Sequence, residues 1–258
     1  SMSEPLTKPS GRRAWWRTLL WSLFGLLLLV LLVAGALVVY EMETSRLQAR
    51  YLSALGREMT YELGPGASPS IRFPSYGPFD ERMGYVGLPG FQERLVQRGF
   101  EVKSQARMSP RMTQVIDQGL FVPFREKAGA GLTVRDCAGG ALYSVRYPER
   151  AYAGFDAVPR LLVDSLLFIE NRELLSNREP TKNPAVEWDR FIRAGLQQVE
   201  HRLGRRQQTS GGSTLATQIE KYRHSPEGRT DSGEEKLRQM VSASLRAYLD
   251  GPDTTAAR

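Results

Sequence analysis

A chain of 258 residues has room for one or two domains, and its single cysteine, Cys137, excludes an intrachain disulfide and a cysteine-based zinc site. Its two histidines, His201 and His224, exclude a histidine-rich metal site, and both read as exposed loop residues. A formal charge of +7 points to an anionic partner: nucleic acid, a lipid head group or an acidic substrate.

Part of that charge belongs to the N-terminus. Residues 1–17 carry Lys8, Arg12, Arg13 and Arg17, and Thr18 to Tyr40 then run for 23 residues without a charge. As a helix this run is about 34 Å long at 1.5 Å per residue, enough to cross a bilayer. Glu41 and Glu43 follow, so the positive-inside rule puts the N-terminus in the cytoplasm and the rest outside. The run is too long for a typical signal-peptide core, and Trp15, Trp16, Trp21 and Tyr40 fit interfacial belts. From 41 to 56, the spacing of Leu47, Tyr51 and Leu55 predicts that the helix continues as an amphipathic stalk.

Residues 57–150 read as a small α+β module with no chemistry of its own, suited to positioning or partner binding. Gly/Pro punctuation from Gly64 to Gly90 separates strand-like fragments. Phe91 to Arg98 predicts a short helix with Phe91 and Leu95 on one side, Phe100 to Ala106 a strand, and Pro110 to Leu120 another helix. Gly131 to Asp136 and Ala141 to Tyr147 alternate in polarity around Cys137-Ala138-Gly139-Gly140, a hairpin pattern.

Beyond residue 150 the pattern is helical. Pro159 suits a first helical turn, and Val163, Leu167, Glu170 and Leu174 share one stripe. A carboxylate on an apolar stripe has the raised pKa that a general acid or base needs, whereas a frayed last turn would release Glu170 to water or to Arg172. Residues 176–187 are polar and helix-poor, Trp188 to Val199 predicts an amphipathic helix, and Arg202, Arg205 and Arg206 make a basic approach to the next turn. Tyr222 to Gly233 reads as a polar loop. A last helix, Glu234 to Leu249, turns Leu237, Val241, Leu245 and Tyr248 inward.

The most informative stretch is Ser210 to Lys221, a glycine-hinged turn entering a helix. Ser213 or Thr214 can cap that helix, since a short hydroxyl satisfies its orphan N–H groups. Leu215, Ile219 and Tyr222 predict the inward face, while Thr214, Gln218 and Lys221 align a hydroxyl, an amide and an ammonium beside it. Gly211 and Gly212 let a ligand approach the backbone, and a helix N-terminus favours anions. The pattern describes either a phosphate cradle or a capped surface helix.

These helices, in this order behind a membrane anchor, resemble the peptidoglycan glycosyltransferase domain of class A penicillin-binding proteins and monofunctional transglycosylases. The family's Glu-Asp-x-x-Phe motif with a following His appears as Glu170-Asn171-Arg172-Glu173-Leu174 with Asn177 at the His position. Its Gly-Gly-Ser-Thr-x-Thr-Gln-Gln-x-x-Lys motif appears as Gly211 to Lys221, departing at Ala216 and Thr217. Its Lys-x-x-Glu motif appears as Lys236-Leu237-Arg238-Gln239.

The resemblance implies a mainly helical protein with a small α+β module, in which residues 151–258 form a partial lysozyme-like glycosyltransferase domain. It further implies polymerisation of lipid II at the outer face of a bacterial inner membrane. Glu170 would accept the proton of the acceptor hydroxyl. Gly211, Gly212, Ser213, Thr214, Gln218, Lys221 and Lys236 would hold the leaving pyrophosphate, with Mg or Mn as the divalent cation and no protein-built metal site. Gln239 stands where the family has its second catalytic carboxylate, and the family's later helices would lie beyond Arg258. The rival reading is a non-catalytic, membrane-anchored protein that binds lipid II or scaffolds other cell-wall synthesis proteins. No nucleic-acid motif accompanies the basic charge.

Overall fold

The computed structural model describes residues 11–172, 174–176, 178–190, 192 and 213–258, with side chains from residue 15 onward. The chain is mainly helical, with two antiparallel two-stranded sheets among the described residues. It divides into an N-terminal helix and a compact unit, Ser45–Arg258.

Helix α1, Gly11–Thr44, has no apolar stripe because it is apolar all round. Its segment Trp15–Thr44 has a mean hydropathy of 2.9, long and apolar enough to cross a membrane.

The continuous stalk expected after Tyr40 is interrupted. Ser45 takes a left-handed conformation (φ 53°), and a new helix, α2, Arg46–Glu58, starts after it. The expected stalk face is also corrected: Leu47 and Tyr51 are exposed, and Ala49, Ser53 and Gly56 are buried instead. The reason is close packing. A Cβ on Gly56 would meet the Tyr248 carbonyl oxygen at 3.2 Å, so small residues face the C-terminal helix.

Strands β1, Tyr61–Pro65, and β2, Ser104–Met108, pair antiparallel with Tyr61 opposite Met108. The second strand thus lies later than the alternation at Phe100 to Ala106 predicts. Between them come α3, Pro78–Arg82, and α4, Leu88–Gln97, where Phe91 is exposed. Helix α5, Pro110–Asp117, begins at Ser109, whose hydroxyl accepts from the Met112 N–H, with Pro110 in the first turn. The hairpin forms as read: β3, Ala130–Arg135, pairs with β4, Ala141–Tyr147. The Asp136 carboxylate closes the turn by accepting from the Ala138 and Gly140 N–H groups.

The remaining α-helices among the described residues are α6, Arg160–Glu170, α7, Leu215–His224, and α8, Gly233–Ala247. Ser232 caps α8 by accepting from the Glu235 N–H. The expected inward face of α8 holds at Leu245 and Tyr248, but Leu237 is exposed. One core joins Met59, Met108, Met112 and Val115 to Leu245. Polar ties reinforce it: the Phe121 N–H donates to the Ser242 hydroxyl at 3.0 Å, and Arg246 donates to the Val122 and Phe124 carbonyls at 2.9 Å. The segment from β1 to residue 129 therefore shares its interior with the C-terminal helix.

Candidate active site

The stripe of α6 is the one that its spacing predicts. Val163, Leu167, Glu170 and Leu174 are half-buried, whereas Leu161, Leu162, Phe168 and Ile169 are exposed. The last carbonyls of a helix lack partners within it. Here Arg190 supplies them, donating to the Glu170 carbonyl at 2.5 Å and the Ile169 carbonyl at 3.2 Å while pairing with Glu187 at 2.7 Å. The end of α6 is clamped rather than frayed, and this fixes the backbone from which the Glu170 side chain leaves.

Helix α7 starts at Thr214, in extended backbone, with a reciprocal cap. The Thr214 hydroxyl accepts from the Thr217 N–H at 3.3 Å, and the Thr217 hydroxyl accepts from the Thr214 N–H at 3.0 Å. Thr217, a departure from the motif, thus supplies half of the cap. Thr214 is fully buried and donates to the Ala185 carbonyl, so its hydroxyl holds the helix start.

The inward face expected for α7 is wrong in kind. Ile219 and Tyr222 are exposed, and the buried residues are Thr217, Glu220 and His224. The helix also runs through Tyr222 to His224, into the stretch that composition marks as loop. A helix packed on a polar interior carries its apolar residues outward, and the partners that make this tolerable come from distant segments.

On the side of α7 facing α6, the Gln218 amide donates to the Glu170 carboxylate at 2.8 Å. The structure therefore joins the carboxylate of the first motif to the cradle helix by a direct bond. Lys236 of α8 donates to the Ser213 hydroxyl just ahead of the cap. Burial pushes the Lys236 ammonium below the usual lysine range, and the charge of Lys221 pushes it in the same direction. Lys236 and Ser213 thus meet at the start of α7 with Lys221 near enough to act on the Lys236 charge, and among the described residues neither lysine has a carboxylate at ion-pair distance. Such a cluster attracts a multiply charged anion. Gly211, Gly212, Asn177, His201 and most of the stretch Trp188 to Val199 lie outside the described residues.

Gln239 stands apart from this group. It is buried, donates to the Ser225 hydroxyl at 2.9 Å and accepts from Thr230 at 3.0 Å, while the Ser225 hydroxyl donates to Glu235. Its amide is engaged through one N–H and its oxygen at the far end of α7. Among the described residues Glu170 is the carboxylate bonded to the cradle at Gln218, and a divalent cation there would take most of its ligands from the pyrophosphate.

A second cluster escapes sequence reading altogether. His224 is buried, at 3% exposure, which corrects its reading as an exposed loop residue. Its Nδ1 lies 3.0 Å from Asp80 of α3, and its Nε2 lies 3.3 Å from Glu126 and 3.8 Å from Glu220. Asp80, Glu126 and His224 bring ligand atoms within 4.8 Å of one another, close enough to hold a metal ion. Arg246 pairs with Glu220 at 2.6 Å and approaches Glu126 at 3.8 Å. The only local hint is the Glu220/His224 pair at i, i+4.

Residues 139–248 match the Transglycosylase family model, a stretch that runs from the β3–β4 turn to Tyr248. No curated protein and no solved structure matches the chain.

Proposed function

We propose that this chain, which carries a partial transglycosylase domain over residues 139–248, is a membrane-anchored peptidoglycan glycosyltransferase that polymerises lipid II into glycan strands. The observation that carries the reading is the bond from Gln218 to Glu170, which sets a carboxylate against the helix whose start carries Ser213 and Lys236 and whose next turn carries Lys221. Glycosyl transfer from a lipid pyrophosphate donor needs this pairing. The acceptor 4-hydroxyl oxygen bonds to the anomeric carbon, its proton passes to Glu170, and the bond to pyrophosphate breaks. The departing oxygens then carry charge that Lys221, Lys236 and the α7 N–H groups meet. Gln218 orients the carboxylate, and Arg190 holds the helix end that bears it.

Binding of lipid II is the direct test. Lys221→Ala should weaken it by about 1.5–3 kcal/mol, the range for hydrogen bonds to charged groups. Equal affinity of wild type and variant in a titration would refute the cradle. A scaffold that binds lipid II without turnover is the second reading, and the network around Gln239 favours it, because an amide bonded to Thr230 and Ser225 stands there in place of a carboxylate.

The anchor is α1, with the compact unit outside the cytoplasm of a bacterial inner membrane. Cys137 is exposed in the β3–β4 turn and is the only thiol, so it reports topology without mutation. A membrane-impermeant maleimide should label it in spheroplasts. Labelling only after lysis would place the unit inside.

A further inference from the structure

We infer that His224 is a positioning residue of the cradle, fixing the C-terminal end of α7 against α3 and thereby setting where Gln218 and Lys221 point. The inference rests on the glycosyltransferase reading for what the cradle binds, but the lock itself stands on separate geometry. Lys221 and Gln218 precede His224 by three and six residues, about one and two helical turns. Rotation of α7 at His224 would therefore turn both side chains.

Three contacts show that the two elements are pressed together at this point. Asp80 is fully buried, and its Oδ2 accepts from the Gly77 N–H as well as facing His224 Nδ1. A Cβ on Gly77 would lie 1.6 Å from the Arg223 carbonyl oxygen, so the start of α3 touches the backbone of α7 where only glycine fits. The Arg223 guanidinium also lies 4.9 Å from the Phe79 ring centroid. The charged groups facing His224 are Asp80 from α3, Glu126 from the segment before β3, Glu220 from α7 itself and Arg246 from α8.

The charges around the ring favour a proton over a metal ion as the link. Asp80 sits on Nδ1 and Glu126 on Nε2, so each ring nitrogen faces its own carboxylate. An imidazolium donates from both. Asp80 Oδ1 and Glu126 Oε1 are buried and lack hydrogen-bond partners, so these carboxylates depend on the nearby cations for compensation. Arg246 and Arg223, each within 4.0 Å of Glu126, further disfavour a divalent cation.

The experiment uses the full chain in detergent, with His224→Gln and Asp80→Asn. Amide hydrogen exchange should become at least tenfold faster in α7 than the accompanying change in α5 and α8, and unchanged relative exchange would overturn the inference. Inorganic pyrophosphate should bind folded His224→Gln at least tenfold more weakly than wild type, whereas equal binding would overturn it. Wild-type affinity should also fall as pH passes about 9, in a step that His224→Gln lacks. Lys236 titrates in both proteins, so only the step that disappears belongs to His224, and identical profiles would overturn the inference. Stoichiometric uptake of Mn²⁺ or Zn²⁺ that is lost in His224→Gln would replace the proton with a metal and overturn it too. If wild type binds no pyrophosphate, the cradle reading falls, and the exchange measurement still decides the lock.

Discussion

Replacing Glu170 by Gln should lower lipid II polymerisation by about two to four orders of magnitude, the usual contribution of a general base, while leaving substrate affinity nearly unchanged. The substitution is gentle in structure. The Gln218 amide donates to Glu170 Oε2 at 2.8 Å, and an amide oxygen at position 170 can accept the same bond. The backbone is held independently, because Arg190 binds the Glu170 and Ile169 carbonyls and not the carboxylate. What disappears is the capacity to take a proton. A turnover assay with labelled lipid II, run beside a binding titration, separates the two effects. Equal turnover of Glu170→Gln and wild type would remove Glu170 from the chemistry. Binding without turnover in wild type would instead favour the scaffold.

The parts of this fold legible in sequence are those fixed by local pattern. The β3–β4 hairpin follows from alternation around a Gly-Gly turn, and the α6 stripe follows from spacing that puts Glu170 in line with Val163 and Leu167. Pairing Glu170 with the cradle comes from motif resemblance, and the bond to Gln218 supports it.

The parts that are not legible depend on partners far away in the chain. Glu220 and His224 look like solvent-facing residues until Asp80, Glu126 and Arg246 arrive from other elements, so an apolar reading of α7 chooses Ile219 and Tyr222. Ser45 carries no glycine or proline signal, and it still breaks the helix. Gln239 reads as a lost carboxylate. The structure adds that a carboxylate there would be buried one hydroxyl away from Glu235, since Ser225 bonds to both positions. The amide therefore suits its surroundings, whatever the ancestral residue did.

The stability of the compact unit should depend on the His224 proton, and in the alkaline direction. Burial alone would lower the pKa of this imidazolium. The hydrogen bonds to Asp80 and Glu126, with the charges of Glu126 and Glu220, outweigh it and raise the value to about 9. An unfolded histidine titrates near pH 6.5, so the folded state holds the proton more tightly. The resulting stabilisation is fully present below about pH 6.5, declines as pH rises, and is gone above about pH 9. A gap of about 2.5 units at 1.36 kcal/mol each corresponds to about 3 kcal/mol. His224 is 3% exposed, so solvent screening takes little from that figure. Urea unfolding of wild type and His224→Gln at pH 6 and at pH 9.5 would measure it. The advantage of wild type should shrink by about 3 kcal/mol between the two, as its one extra proton is lost. A difference that stays constant with pH would mean that the ring is neutral in the fold. In that case the cluster would join α3 to α7 by neutral hydrogen bonds alone, and raising the pH would leave Gln218 and Lys221 in place.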